Sequence, residues 1–270
     1  MVSKDHYLPL NLLGIREVGG RNIVEIKVGL INKPGAIAEV SRVLESMGVN
    51  ILDGVHSAET YTGTWIFYID KPEHITLDEI KLRISRLRSV TGIEIRSRRL
   101  GEIILDGFHY PIVQGGSKVI VIPIEHFVKV MDSMIRDFKT GGKYILFLMG
   151  LSFGESIGEY VSSKCKSIDK SKSVELALEF LRIYGLGVPR VYNISSGTFR
   201  VELSECFEAE VERPKEVSEC YFMRGTITGI MRKILDNENL IAVEENCRIR
   251  GDRRCVFSIR EAKEDVPLIL

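Results

Sequence analysis

From Asn22 onward apolar and polar side chains alternate, with Val24, Ile26, Val28 and Leu30 on one face and Glu25 and Lys27 on the other. That period of two is what a half-buried strand requires. Asn32-Lys33-Pro34-Gly35 interrupts it, after which Ile37, Val40, Leu44 and Met47 recur at helical spacing until Gly48-Val49-Asn50 closes the helix. Residues 51–59 and 65–70 predict two strands about the turn Tyr61-Thr62-Gly63. A second helix begins at Thr76, whose hydroxyl can cap it while Glu79 reaches back, and Leu77, Ile80, Ile84 and Leu87 supply its apolar stripe. Alternation returns over residues 91–97. The order strand, helix, strand, strand, helix, strand predicts a ferredoxin-like βαββαβ unit.

Residues 100–117 lack periodicity and carry Gly101, Gly107, Pro111, Gly115 and Gly116, so the boundary is placed at their start, giving domains 1–100 and 101–270. In the second, residues 119–123 predict a buried strand, and Phe127, Val130, Met131, Met134, Ile135 and Phe138 one face of a helix stopped by Gly141-Gly142. Gly150, Gly154 and Gly158 then recur at four-residue spacing, which lets another backbone approach at a propensity cost of about 1 kcal/mol per glycine. A neighbouring helix of the same domain is the first expectation and a dimer partner the alternative. Residues 173–184 predict a helix on Val174, Leu178 and Leu181. Strands follow at 188–194 and 198–203 about Ser195-Ser196-Gly197, then a helix at 216–235 and a hairpin of 240–249 with 254–259. The fold class is α+β, a ferredoxin-like unit followed by a mixed α/β domain.

Composition narrows what such domains do. At 270 residues, 44% hydrophobic and 27% charged, the chain has ample material for two cores. Lys plus Arg and Asp plus Glu stand at 37 each, so no overall field gathers phosphates, and the run Arg96, Arg98, Arg99 reads as a solvated linker. Nucleic acid is not an expected direct partner. The first ten residues lack the layout of a secretion signal, and no apolar run reaches the roughly 20 residues of a membrane span. The expected location is cytoplasmic. Gln114 is the single glutamine, a bias shared with proteins of thermophiles. Five cysteines, three of them toward the carboxyl end, suit metal binding or buried thiols better than a disulfide framework.

The stretch Val28-Gly29-Leu30-Ile31-Asn32-Lys33-Pro34-Gly35-Ala36-Ile37-Ala38, with Met47-Gly48-Val49-Asn50-Ile51, resembles the signature of ACT domains over about residues 20–98. The resemblance implies a small effector, commonly an amino acid, near this turn between two ACT units, with Asn32, Gly35 and Ala36 beside it. Physically, Gly35 opens a helix start whose free N–H groups favour a carboxylate, and Asn32 offers a donor and an acceptor. The plainer alternative is a tight turn into a helix in a unit that only dimerises.

The richest chemistry lies in Cys220, in Glu244-Glu245-Asn246-Cys247, and in Cys255 across a glycine turn. Three thiolates and a carboxylate suit tetrahedral zinc, although cysteines are also common as small buried apolar residues and the spacing is not that of a zinc finger. Residues 220–229 and 243–257 closely resemble the carboxyl-terminal signature of the 4-vinyl-reductase, or hydrocarbon-binding, family, and the likeness extends over about 105–262. It implies a zinc ion held by Cys220, Glu244, Cys247 and Cys255, beside an apolar effector pocket in which Phe199 takes the place of a pocket aromatic. Core filling is the alternative for Phe199. Cys165 and Cys206 fall outside the pattern, and Tyr192, Phe222, Trp65, His109 and His126 sit on no clear motif position.

No catalytic triad order, phosphate-cradling loop or dinucleotide fingerprint is visible. Zinc with four protein ligands has no open position and is structural. The expectation is therefore a homodimeric, non-catalytic sensor of a small-molecule effector that signals through a partner protein. The alternatives are a dimerising adaptor without ligand, or an accessory enzyme for a hydrophobic or tetrapyrrole substrate.

Overall fold

A short strand, β1 (Ile15–Glu17), precedes the long alternating strand β2 (Ile23–Ile31) in the computed structural model, which describes residues 7, 9–12, 14–195 and 198–262. Helix α1 (Ala36–Ser46), strands β3 (Asn50–Ala58) and β4 (Thr62–Asp70), helix α2 (Leu77–Ser85) and strand β5 (Val90–Arg96) complete the expected βαββαβ order. The four long strands form an antiparallel sheet in the order β3-β4-β2-β5. Val24, Ile26, Val28 and Leu30 bury with Val40 and Leu44 of α1 and Ile80 and Ile84 of α2. Each such side chain contributes about 1.5–3 kcal/mol. Thr76 caps α2 by accepting the Glu79 N–H at 3.1 Å. The Glu79 carboxylate turns instead to Arg83, one helical turn on, at 2.7 Å.

The other face of this sheet differs from expectation. Glu25, read from the alternation as solvent-facing, is 1% exposed. Strands β6 (Arg98–Leu100) and β7 (Ile103–Leu105) join β1 in a small sheet of order β1-β7-β6, and Ile104 packs there with Val18, Ile23 and Tyr68. Residues after the ferredoxin-like motif thus fold back over the sheet rather than leading away from it. A hairpin of β8 (Val113–Gln114) and β9 (Ser117–Lys118) turns through Gly115 and Gly116, both at positive φ. The chain divides into units Met1–Ile120 and Val121–Leu270, so the segment from Gly101 to Ile120 lies with the first.

The expected buried strand at 119–123 does not form. Residues 120–123 are irregular, with Ile120, Val121 and Ile122 exposed, because no strand among the described residues pairs with them. Helix α3 (Ile124–Phe138) buries Val128, Met131 and Ile135, whereas Val130 and Phe138, expected on the buried face, are exposed. The break after it is Lys139 at φ 53, and Gly141-Gly142 lies inside helix α4 (Thr140–Lys164). Gly142 is needed there because a Cβ would stand 2.2 Å from the Met134 carbonyl oxygen.

Helix α5 (Lys170–Ile183) starts at Asp169, whose carboxylate accepts the N–H groups of Ser171 and Lys172. Strands β10 (Val188–Ser195), β11 (Thr198–Ser204), β12 (Leu240–Asn246) and β13 (Cys255–Glu261) form an antiparallel sheet in the order β10-β11-β13-β12. The turn expected at Ser195-Ser196-Gly197 includes residues outside those described.

Helix α6 (Tyr221–Leu235), shorter than the expected 216–235, is buried on nearly every side and crosses α4 at very close range. A Cβ on Gly150 would lie 2.0 Å from the Phe222 carbonyl oxygen, and one on Gly154 2.0 Å from that of Thr226. Reciprocally, a Cβ on Gly225 would lie 2.1 Å from the Phe147 oxygen and one on Gly229 2.2 Å from that of Leu151. The glycine row therefore receives a helix of its own domain, and α6 brings a second row to meet it.

Candidate metal centre

Cys220 is the N-cap of α6; Glu244 lies in β12, Cys247 follows that strand and Cys255 opens β13. A register shift between Glu244 and Asn246 offsets β12 against β13, and the connection is built as a compact corner. There the Asp252 carboxylate accepts the Cys247 N–H at 2.8 Å and the Asn246 side-chain amide at 3.3 Å, while Gly251 turns the chain at φ 96. The Arg250 guanidinium donates to the carbonyls of Ser218 and Glu245, both at 3.0 Å, tying the corner to the segment that leads into α6. These contacts help to converge the donors.

All four expected ligands come together, each buried, with one donor atom apiece lying within 4.8 Å of the others. The Cys220 sulfur is 3.7 Å from that of Cys247 and 3.8 Å from that of Cys255. A tetrahedral ion with metal–sulfur bonds of about 2.3 Å requires edges of about 3.8 Å, so the spacing fits. Glu244 Oε2 accepts the Cys220 N–H at 2.8 Å, and its Oε1 is buried without a hydrogen-bond partner. An orphaned carboxylate oxygen beside three sulfurs is a vacant lone pair for a cation. Burial pushes the Glu244 carboxyl up to about 8, reinforced by Cys247. Contact with Cys206 pushes the Cys220 thiol up. Protons held on these groups would leave as a metal binds.

Cys206, which sequence reasoning left outside the cluster, is fully buried with its sulfur 3.7 Å from Cys220. Cys165 is half-buried at the end of α4 and is not one of the grouped donors. Glu208, also missed, is buried at the start of α6, where it accepts the Met223 N–H at 2.7 Å. Neither residue carries a spacing that marks it in the sequence.

The residues expected to meet an effector fall in different surroundings. Asn32, Gly35 and Ala36 line a groove of about 600 Å3 together with Lys33, Arg42 and His56. Gly35 precedes α1 at φ 87 with open space where a Cβ would stand, so its backbone conformation selects glycine. The Asn32 side-chain amide donates to the Glu59 carbonyl at 2.6 Å, pinning the turn between β3 and β4 against the groove. Phe199 is 3% exposed in the core of the second unit. Phe127, Phe153, Phe207 and Phe222 make ring contacts with one another in the same unit. Trp65 stacks on Phe67 in the first unit, and Tyr192 is exposed.

No protein-family profile matches the chain. Nor does any curated protein match it in sequence. Solved structures do resemble parts of it. The phenol-responsive sensory domain of the transcription activator PoxR, in complex with phenol, aligns at 17% identity and TM-score 0.48, covering 54% of this chain and 78% of that one. A vinyl-4-reductase family protein from Methanocaldococcus jannaschii aligns at 18% identity and TM-score 0.38, covering 54% and 85%. The ACT domain of GTP pyrophosphokinase from Chlorobium tepidum aligns at 18% identity and TM-score 0.25, covering 27% and 96%. No helix among the described residues is long and apolar enough to cross a membrane.

Proposed function

We propose that the protein is a non-catalytic ligand sensor: its first unit takes a small carboxylate-bearing effector, such as an amino acid, and its second is a zinc-stabilised module that serves an apolar or aromatic ligand. The groove at Asn32, Gly35 and Ala36 is the observation that carries this reading. It places the uncapped first turn of α1 beside the side chains of Lys33, Arg42, His56 and Glu45; Lys33 is paired with Glu39 at 3.5 Å, so the helix N–H groups and Arg42 are what favour a carboxylate. In the second unit the donor set of Cys220, Glu244, Cys247 and Cys255 would hold zinc, whose chemistry there is to crosslink α6 to the β12–β13 hairpin. Four buried protein donors leave no position for a substrate, which supports a structural ion over a catalytic one. Phe199 is assigned to the apolar site of that unit.

A homodimer that passes the liganded state to a partner protein completes the proposal. Its support is the apolar set Tyr144, Ile145, Leu148 and Met149, contiguous on one side of α4 and all 39–43% exposed. Leu148→Glu is expected to turn a dimer into a monomer in light scattering and to abolish the rise of unfolding temperature with protein concentration.

A thermal-shift screen tests the sensor reading. A ligand at a hundredfold excess over its dissociation constant stabilises the folded state by about 2.7 kcal/mol. Amino acids are expected to raise the first unit's transition in the wild type and to lose that effect in Arg42→Glu and in Ser41→Trp, Ser41 being a further residue on the groove wall. Aromatic or long-chain hydrocarbons are expected to act on the second unit and to weaken in Phe199→Ala. No shift from either class, with nothing co-purifying in native mass spectrometry, would leave the dimerising adaptor as the better account.

A further inference from the structure

We propose a second cation site in the first unit, in which Glu25, Asp106 and His109 hold a divalent transition-metal ion through two carboxylates and one imidazole. One donor atom from each lies within 4.8 Å of the other two. Glu25 projects from β2 on the sheet face that the chain after β7 covers, and it is 1% exposed. Its Oε2 accepts the Gly107 N–H at 2.8 Å. Its Oε1 is buried with no hydrogen-bond partner.

The opposite wall is equally defined. Asp106 Oδ1 accepts the N–H groups of Phe108 at 2.7 Å and His109 at 2.9 Å, which leaves Oδ2 facing His109 Nδ1 at 2.6 Å. Glu25 and Asp106 thus bring only acceptors to one another, and a buried carboxylate in that position requires a positive centre or a proton.

Ligand chemistry selects the ion. An imidazole with two carboxylates suits zinc, manganese, iron, cobalt or nickel, whereas magnesium and calcium prefer oxygen alone. Three protein donors leave positions for water, and His109 lies at the exposed rim where an ion can enter. Arg96 opposes a cation. Its guanidinium, however, is spent on the Gly107 carbonyl and stacks 4.2 Å from the centre of the Phe108 ring. Affinity is accordingly expected to fall below that of the thiolate centre.

The test is a cobalt(II) titration of the full chain after chelator treatment, read by native mass spectrometry and visible absorption. The wild type should take up two equivalents. The tighter one shows a sulfur-to-cobalt charge-transfer band, and the weaker one shows only ligand-field bands. Glu25→Gln and His109→Ala should each lose the weaker equivalent and keep the tighter, Cys247→Ser should do the reverse, and excess magnesium should displace neither. His109→Ala also removes the pairing with Asp106 at 2.6 Å, so its unfolding midpoint should fall modestly, and circular dichroism showing it still folded at the titration temperature makes its lost uptake a report on ligation. Absence of any uptake lacking the charge-transfer band, or its persistence in both Glu25→Gln and His109→Ala, would overturn the proposal and leave a carboxyl pair sharing a proton. The outcome does not depend on what the groove or the thiolate centre binds.

Discussion

The main-chain N–H of Cys220 donates to the carboxylate of Glu244 over 2.8 Å, so the start of α6 and strand β12 are joined through a residue that also belongs to the thiol cluster. Glu244→Gln keeps an oxygen to accept that bond but removes the charge. It is expected to fold while losing zinc affinity by more than the roughly 10–100-fold seen when an outer-shell partner is changed. Cys247→Ser removes a thiolate outright and should lower the stability of the second unit, as should chelation of the wild type. Elemental analysis alongside unfolding curves checks both; a zinc content near zero in wild-type protein purified without added metal contradicts the assignment.

Where α4 and α6 cross, Gly154→Ala should destabilise the second unit by about 1–3 kcal/mol, the usual cost of overpacking, and Gly154→Val by more. Helix propensity alone predicts the opposite sign for alanine, a gain of up to about 1 kcal/mol. Denaturant unfolding of the two variants therefore decides between packing and propensity.

Glu208 gives a pH prediction with a definite sign. Burial, against the Met223 N–H and Arg213, pushes its carboxyl from 4.5 to about 8, so the folded chain holds a proton that the unfolded chain releases. This contribution is complete below pH 4.5 and is lost as pH rises toward 8. One proton limits the slope to about 1.4 kcal/mol per pH unit. Glu208→Gln, still accepting from Met223, should flatten the decline in a chemical-denaturation series and be more stable than the wild type at the alkaline end.

What the sequence disclosed depended on how far apart the cooperating residues lie. Alternation and helical spacing sufficed for the βαββαβ unit because each element's own pattern decides which face is buried. Cys220, Glu244, Cys247 and Cys255 were legible as a group through the family resemblance rather than through their spacing, which matches no zinc finger; a helix start and one hairpin bring them together. Glu25 was misread for the opposite reason: its burial comes from Ile104 and Gly107, remote in the chain, folding over a face that looks polar in isolation. The exposed apolar run at Ile120 to Ile122 misled in the same way, since apolar character made it resemble a core strand although no strand among the described residues pairs with it. Gly225 and Gly229 carried a usable signal, the same four-residue spacing as Gly150 and Gly154. Pairing the two rows would have located the crossing.

That crossing also limits how the sequence can change. At Gly150, Gly154, Gly225 and Gly229 the atom that an added methyl group would strike is a main-chain oxygen. Main-chain oxygens are identical in every residue, so no substitution on the facing helix can make the room. Second-site suppressors, which commonly rescue an overfilled core by trimming the opposing side chain, are therefore unavailable at these four positions. Revertants of a substitution there should be true reversions or changes that move a whole helix.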